Sequence, residues 1–242
     1  MTIKNYTPEF LAHIERIISV ERLTRYLTAT KQDMAMALTL YEYNVEISEA
    51  LFGFLHGLEV AVRNSIHHTL CADLGVSDWY TGAVPLPWSK SGGRLSLTSV
   101  MQDMIAAAQH KAGAIPTPGK VIAELTFGFW PSLIAKNFNA SLWVPSLHNA
   151  FPHAGPVKRR EIHRRLDTIR WLRNRIAHHE PIATSRNVVR TGFPGQPDVT
   201  LGQILECVEW ISTDAAIWLK AHSRYQQAEN LLTEINKMGI SL

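Results

Sequence analysis

The sequence predicts an all-α protein, a helical bundle with short connections, and three observations carry that expectation. Apolar residues recur at spacings of three and four through most of the chain, the period of helices with one buried face. Residues 32–74 are rich in helix formers and nearly free of breakers. No segment shows the strict alternation of a half-buried strand, so helix must pack on helix. A chain of 242 residues with 46% apolar content can bury a real core.

Residues 8–28 read as one amphipathic helix with Phe10, Leu11, Ile14, Ile17, Ile18 and Leu23 inward. Residues 32–74 form one very long helix, or two with a bend near Gly53 or Gly57, and Gly75 is placed to cap it. Residues 77–93 hold two prolines, several glycines and two tryptophans, an irregular excursion whose aromatics pack back onto the body. A helix over 95–111 follows. The segment 113–119, with Pro116 and Pro118, divides a single all-α unit into halves spanning 1–112 and 113–242.

In the second half, 120–129 is a short apolar helix, Pro131 forces a break or a new first turn, and 132–143 continues as helix. The cluster Thr126-Phe127-Gly128-Phe129-Trp130 offers aromatic faces that stack on bases elsewhere, but such clusters more often fill a core. Residues 145–156 connect to a basic helix from Val157. Residues 182–199, with Gly192, Pro194, Gly195 and Pro197, read as a loop. Thr200 is the N-cap of a helix running to about Ser223, and 225–237 supplies a last one before Gly239.

The first residues carry no apolar secretory core and no run is long enough to span a bilayer, so a cytoplasmic protein without membrane contact is expected. Cys71 and Cys207 lie far apart with no metal-ligand spacing, which predicts two reduced, buried thiols and no structural zinc. There is no Walker A loop, His-Glu-x-x-His, dinucleotide glycine fingerprint or acidic metal cluster, so neither cofactor nor metal is expected. The net charge is only +3. Basicity is concentrated instead: Lys158, Arg159, Arg160, Arg164, Arg165, Arg170, Arg173 and Arg175 share their stretch with only Glu161 and Asp167. That excess favours contact with phosphate.

The same stretch ends in Ile169-Arg170-Trp171-Leu172-Arg173-Asn174-Arg175-Ile176-Ala177-His178-His179-Glu180-Pro181. Ile162, Leu166, Ile169, Leu172 and Ile176 set a helical buried face, and Pro181 stops the helix near His178 or His179. Imidazole both takes and gives a proton near neutrality. Positions three and four before Arg173 are Arg170 and Ile169, which offer no carboxylate, and an anionic partner would relieve the repulsion of three arginines in six residues. Arg173 and His178 are separated by roughly 140° around the helix and roughly 7.5 Å along it. A substrate must bridge them, or a second motif must face them.

A second copy of the pattern is present. Arg63-Asn64-Ser65-Ile66-His67-His68 matches residues 173–178 at Arg, Asn, Ile and the last His. Glu59, four residues before Arg63, also gives that arginine a purely structural reading as a helix-surface ion pair. RNA suits such residues without a metal, because the 2′-OH is an internal nucleophile beside the phosphate. Single strands are favoured because in-line attack needs a flexible backbone.

Arg-Asn-x-x-x-His resembles the arginine-x(4–6)-histidine motif of HEPN-type ribonucleases, and the flanking text resembles the bacterial abortive-infection (Abi-like) family. The stretches that carry the likeness are Arg22-Leu23-Thr24-Arg25-Tyr26, Leu40-Tyr41-Glu42-Tyr43-Asn44, Leu58-Glu59-Val60-Ala61-Val62-Arg63-Asn64, the Thr126 to Trp130 cluster, and residues 169–182. The resemblance implies a HEPN-type bundle with additional helices. It implies a metal-independent endoribonuclease that cuts single-stranded RNA to leave a 2′,3′-cyclic phosphate, a toxin in phage defence with an antitoxin or regulatory protein as partner. On the matching positions Arg173 would polarise the phosphate, His178 would act as general acid or base, and Asn174 would orient the pair. Arg63, Asn64 and His68 would form a second half-site, or a homodimer would pair two copies of the later motif. Lys158, Arg159, Arg160, Arg170, Arg175 and His179 are the candidate RNA-binding residues. The alternative is a non-catalytic RNA-binding or protein-interaction module of a toxin–antitoxin or defence system.

Overall fold

The computed structural model describes residues 6–82, 84–183, 188–191 and 197–238. Among them the protein is all-α, with one small antiparallel sheet of two-residue strands. Among the described residues no helix is long and apolar enough to cross a membrane. The residues pack into two compact units that are interleaved along the chain. The first comprises Met1–His56, Trp171–Leu205 and Trp218–Leu242, and the second Gly57–Arg170 and Glu206–Ile217.

The N-terminal segment forms two helices rather than the single one its periodicity predicts. Helix α1 (Pro8–Ile18) starts with a proline in its first turn, and its cap Thr7 accepts the Phe10 N–H at 3.2 Å. Ser19 then takes φ 75°, which stops α1, and its hydroxyl accepts the Arg22 N–H to start α2 (Val20–Ala29). No residue of α1 is buried: Phe10 is 44% and Ile17 72% exposed, against the inward placement expected of them. Leu23 and Tyr26 of α2 are fully buried.

Helix α3 (Met34–Leu74) is continuous, running through Gly53 and Gly57 without a break. Asp33 Oδ1 accepts the Met36 N–H at its start, and Gly75, at φ 72°, closes its end by donating to Cys71 O. In the first unit its inward face is Leu40, Asn44, Ile47, Leu51 and Phe54, the last edge-on to Tyr225 of α10 (Tyr225–Met238).

In the second unit α3 contributes Leu58, Val62, Ile66 and Leu70 to a core completed by aromatics. The excursion after α3 does fold back, with Trp79 fully buried and Trp88 donating to Ser141 O. Trp79, Phe129 and Trp130 form a contiguous group with ring centroids 5.2–6.4 Å apart. The aromatic residues of the Thr126 to Trp130 cluster are therefore core, with Phe127 3% exposed and Phe129 and Trp130 at 0%. A Cβ on Gly128 would meet Arg170 Cδ at 3.2 Å, so a larger residue there would push the arginine side chain by a few tenths of an ångström.

Helix α4 (Ser99–Ala112) is capped by Thr98, and α5 (Pro118–Glu124) and α6 (Phe129–Leu133) are short. The expected helix over 132–143 is not continuous: α6 ends at Leu133, a 3₁₀ turn spans Lys136–Phe138 and a wider π turn spans Asn139–Trp143. Helix α7 (Arg159–Ala177) buries Ile162, Leu166, Ile169, Leu172 and Ile176, the residues its spacing marks.

The loop expected over 182–199 contains β1 (Val188–Val189) paired with β2 (Val199–Thr200), strands too short to show alternation. Residues 184–187 and 192–196 of it, like Gly239, lie outside the described residues. Thr200 and Gln203 then cap each other's N–H groups at 3.1 Å to open α8 (Leu201–Glu209). The single helix expected from Thr200 to Ser223 is two, because Ser212 caps a separate α9 (Thr213–His222).

Candidate functional site

The candidate site is the C-terminal turn of α7, within the first unit. The helix ends where Pro181 demands, and the closing geometry is specific. His179 N–H donates to Ile176 O at 3.0 Å and Glu180 N–H to Arg175 O at 2.9 Å, the paired bonds of a left-handed helix stop. The residue at the left-handed position, usually glycine, is His179 at φ 56°. Such a backbone costs a side-chain-bearing residue on the order of 1 kcal/mol. His178 and His179 are both exposed beyond the helix end.

Both exposed and buried polar groups hold this turn in place. Arg22 of α2 donates to His179 O at 2.6 Å, a guanidinium on a terminal carbonyl. Arg175 is buried, pairs with Glu180 Oε2 at 2.8 Å and donates to Pro181 O. Burial pushes its pKa down, Glu180 and Asp198 oppose the shift, and Arg25 and Arg190 add to it. Asn44 of α3, 3% exposed, accepts the Ile182 N–H at 2.8 Å and the Ala183 N–H at 3.4 Å through Oδ1. Tyr26 lies edge-on to Tyr41, and burial drives its hydroxyl far above the usual tyrosine range, with Arg22, Arg25 and Arg175 pulling the other way. Two histidines are thus presented on a turn braced by guanidinium groups from α2 and α7.

Replacing Arg175 by alanine is expected to destabilise the protein by about 2–3 kcal/mol in urea titrations, because it strips the Glu180 carboxylate and the Pro181 carbonyl of their donor. The effect falls below that of a fully buried pair because the Glu180 side chain is 45% exposed and water replaces part of the interaction.

The other predicted residues are disposed as follows. Arg173 and Asn174 are half-buried in the last turn of α7, and Asn174 O accepts the His178 N–H at 2.9 Å. Arg170 is paired with Asp167 at 2.8 Å in the second unit. Arg159 donates to Ile134 O, while Lys158 and Arg160 are exposed. Glu161 takes both Arg164 and Arg165, and Arg165 reaches Glu206 at 3.2 Å and lies over Trp210. Much of the basicity of α7 is therefore compensated by carboxylates, one of them supplied by α8. No family model, curated protein or solved structure matches this chain.

The earlier motif lies in the second unit, on α3. Arg63 is half-buried and donates to Ala123 O at 3.2 Å; Asn64 and His68 are exposed. His67 accepts the Trp79 indole N–H at Nδ1, 3.0 Å, and contacts the Sγ of Cys71, which is half-buried rather than buried as expected, whereas Cys207 is buried. Burial, then the neighbouring His68, lowers its pKa. The unfolded chain thus binds the His67 proton more tightly than the folded one. This contribution to stability is fully present above the ordinary imidazole pKa and is lost as pH falls through it toward the folded value. Urea midpoints should fall between pH 7.5 and pH 5.5, and fall less in His67→Gln, which keeps an acceptor for Trp79 without a titrating ring. His163, whose pKa is also lowered, chiefly by burial, adds a dependence of the same sign common to both proteins.

The residues that brace the turn from elsewhere in the chain, Arg22 and Asn44, escape a sequence reading of the motif. Asn44 alone leaves a signal, as an amide on an inward face otherwise made of Leu40, Ile47 and Leu51. Beside the turn is a cleft of about 700 Å³. One wall is a face of α3 bearing Tyr41, Val45, Ser48, Glu49 and Phe52; Ile176, His179 and Arg224 complete it, all within the first unit.

Proposed function

We propose that the protein is a metal-independent endoribonuclease of HEPN type, an Abi-like toxin of phage defence that cuts single-stranded RNA. The observation that carries this reading is the α7 stop: two exposed imidazoles, one held in a left-handed backbone, on a turn braced by guanidinium groups. A locus of this kind attracts a phosphodiester and supplies groups that move protons at neutral pH.

In the reaction, an imidazole takes the 2′-OH proton as O2′ forms a bond to phosphorus. Arg173 stabilises the charge on the phosphorane, and a protonated imidazole delivers its proton to O5′ as the P–O5′ bond breaks. The products are a 2′,3′-cyclic phosphate and a 5′-hydroxyl. His178 is assigned proton transfer and Asn174 the orientation of the pair. The second proton-transfer group comes from another copy of the α7 motif in a homodimer, or from the motif of Arg63, Asn64 and His68.

Incubation of the purified protein with labelled single-stranded RNA in excess EDTA tests the assignment, with the cyclic phosphate as expected product. Loss of cutting in His68→Ala assigns the second group to the earlier motif, and its retention assigns a homodimer. Absence of cutting across several RNAs overturns the reading. The pairing of Arg164, Arg165, Arg170 and Arg175 with carboxylates lowers the charge left for phosphate and so favours, as second reading, a protein-interaction module of a toxin–antitoxin or defence system without chemistry.

A further inference from the structure

We propose that the cleft beside the α7 stop is a guanine-binding subsite, an inference that rests on the ribonuclease reading of the adjoining turn. The volume, about 700 Å³, suits one nucleotide with room for its sugar. Tyr41, Val45, Ser48 and Phe52 follow one another at spacings of four, three and four and so share a face of α3. Phe52 is 52% and Val45 37% exposed, which leaves an aromatic ring and a branched aliphatic chain bare on the cleft wall. An aromatic face in such a position stacks on a base of any identity.

Identity is set by the polar pair on the same cleft. Glu49 and Arg224 stand 4.0 Å apart, with side chains 63% and 65% exposed, a loose pair that a ligand can enter. A carboxylate is a double acceptor. Only guanine presents two adjacent donors, N1–H and N2–H, on its Watson–Crick edge, with the O6 acceptor next to them for a guanidinium. Adenine and cytosine turn a ring-nitrogen acceptor toward the carboxylate, and uracil offers one donor flanked by two acceptors. His179 lines the cleft and adjoins His178 in the chain, so a nucleotide whose base fills the cleft carries its phosphate to the proposed catalytic turn.

The test measures binding of 3′-GMP, 3′-AMP, 3′-CMP and 3′-UMP to the full chain by calorimetry, apart from any cleavage. The expected result is a preference for 3′-GMP of about tenfold or more. Glu49→Gln should abolish that preference, because an amide N–H then faces a donor, and Phe52→Ala should weaken all four nucleotides by about tenfold. Both side chains are exposed, so unchanged melting temperatures verify that the variants fold. Equal binding of the four, or a preference that survives Glu49→Gln, overturns the subsite. Cleavage of RNA irrespective of the base overturns it too while leaving the ribonuclease reading standing. Selective 3′-GMP binding without cleavage of any RNA sustains the subsite and overturns the ribonuclease reading.

Discussion

In excess EDTA, His178→Ala is expected to slow RNA cleavage by about two to four orders of magnitude, the usual worth of a positioned proton-transfer group. Stability should change by no more than about 0.5 kcal/mol, because the imidazole is exposed beyond the helix end. RNA binding should survive, since the imidazole is assigned to proton movement rather than to holding the chain. Arg173→Ala is expected to reduce cleavage by about two to three orders of magnitude, and Arg173→Lys to restore it only partly, because an ammonium lacks the planar fork of donors. Wild-type rates in His178→Ala, measured on the same RNA, would transfer the chemistry elsewhere and leave the turn a binding element.

Trp130→Ala should give the largest loss of stability, about 3–5 kcal/mol, the range for deleting a fully buried aromatic side chain. The indole sits edge-on to Phe129, with centroids 5.2 Å apart, and against Trp79, so its removal opens a cavity that neighbouring rings fill only in part. Trp130→Phe separates packing from polarity. The buried indole N–H has no hydrogen-bond partner among the described residues, and phenylalanine discards it while keeping a ring. That variant should lose less than half as much in urea titrations. Equal losses would mean that the N–H has a use the packing does not reveal.

The parts of the fold that were legible in the sequence are those with uninterrupted signals. Helix α7 announces its buried face at Ile162, Leu166, Ile169, Leu172 and Ile176 and its end at Pro181; α3 simply has nothing to stop it. The breaks at Ser19 and Ser212 were not legible, because a serine cap without glycine or proline resembles any polar residue on a helix surface. Strands of two residues cannot display a period of two. For the candidate site, the motif was visible because it is contiguous. Its bracing was not, because Arg22 and Asn44 reach the turn from 157 and 138 residues away, and no local pattern encodes such a meeting.

The interleaving of the two units has a consequence for synthesis. As the chain leaves the ribosome, the second unit lacks Glu206–Ile217 and the first lacks Trp218–Leu242 until most of the sequence has emerged. Each unit therefore gathers segments that are far apart in the chain, and its packing must first close long loops, which slows folding relative to a bundle of local contacts.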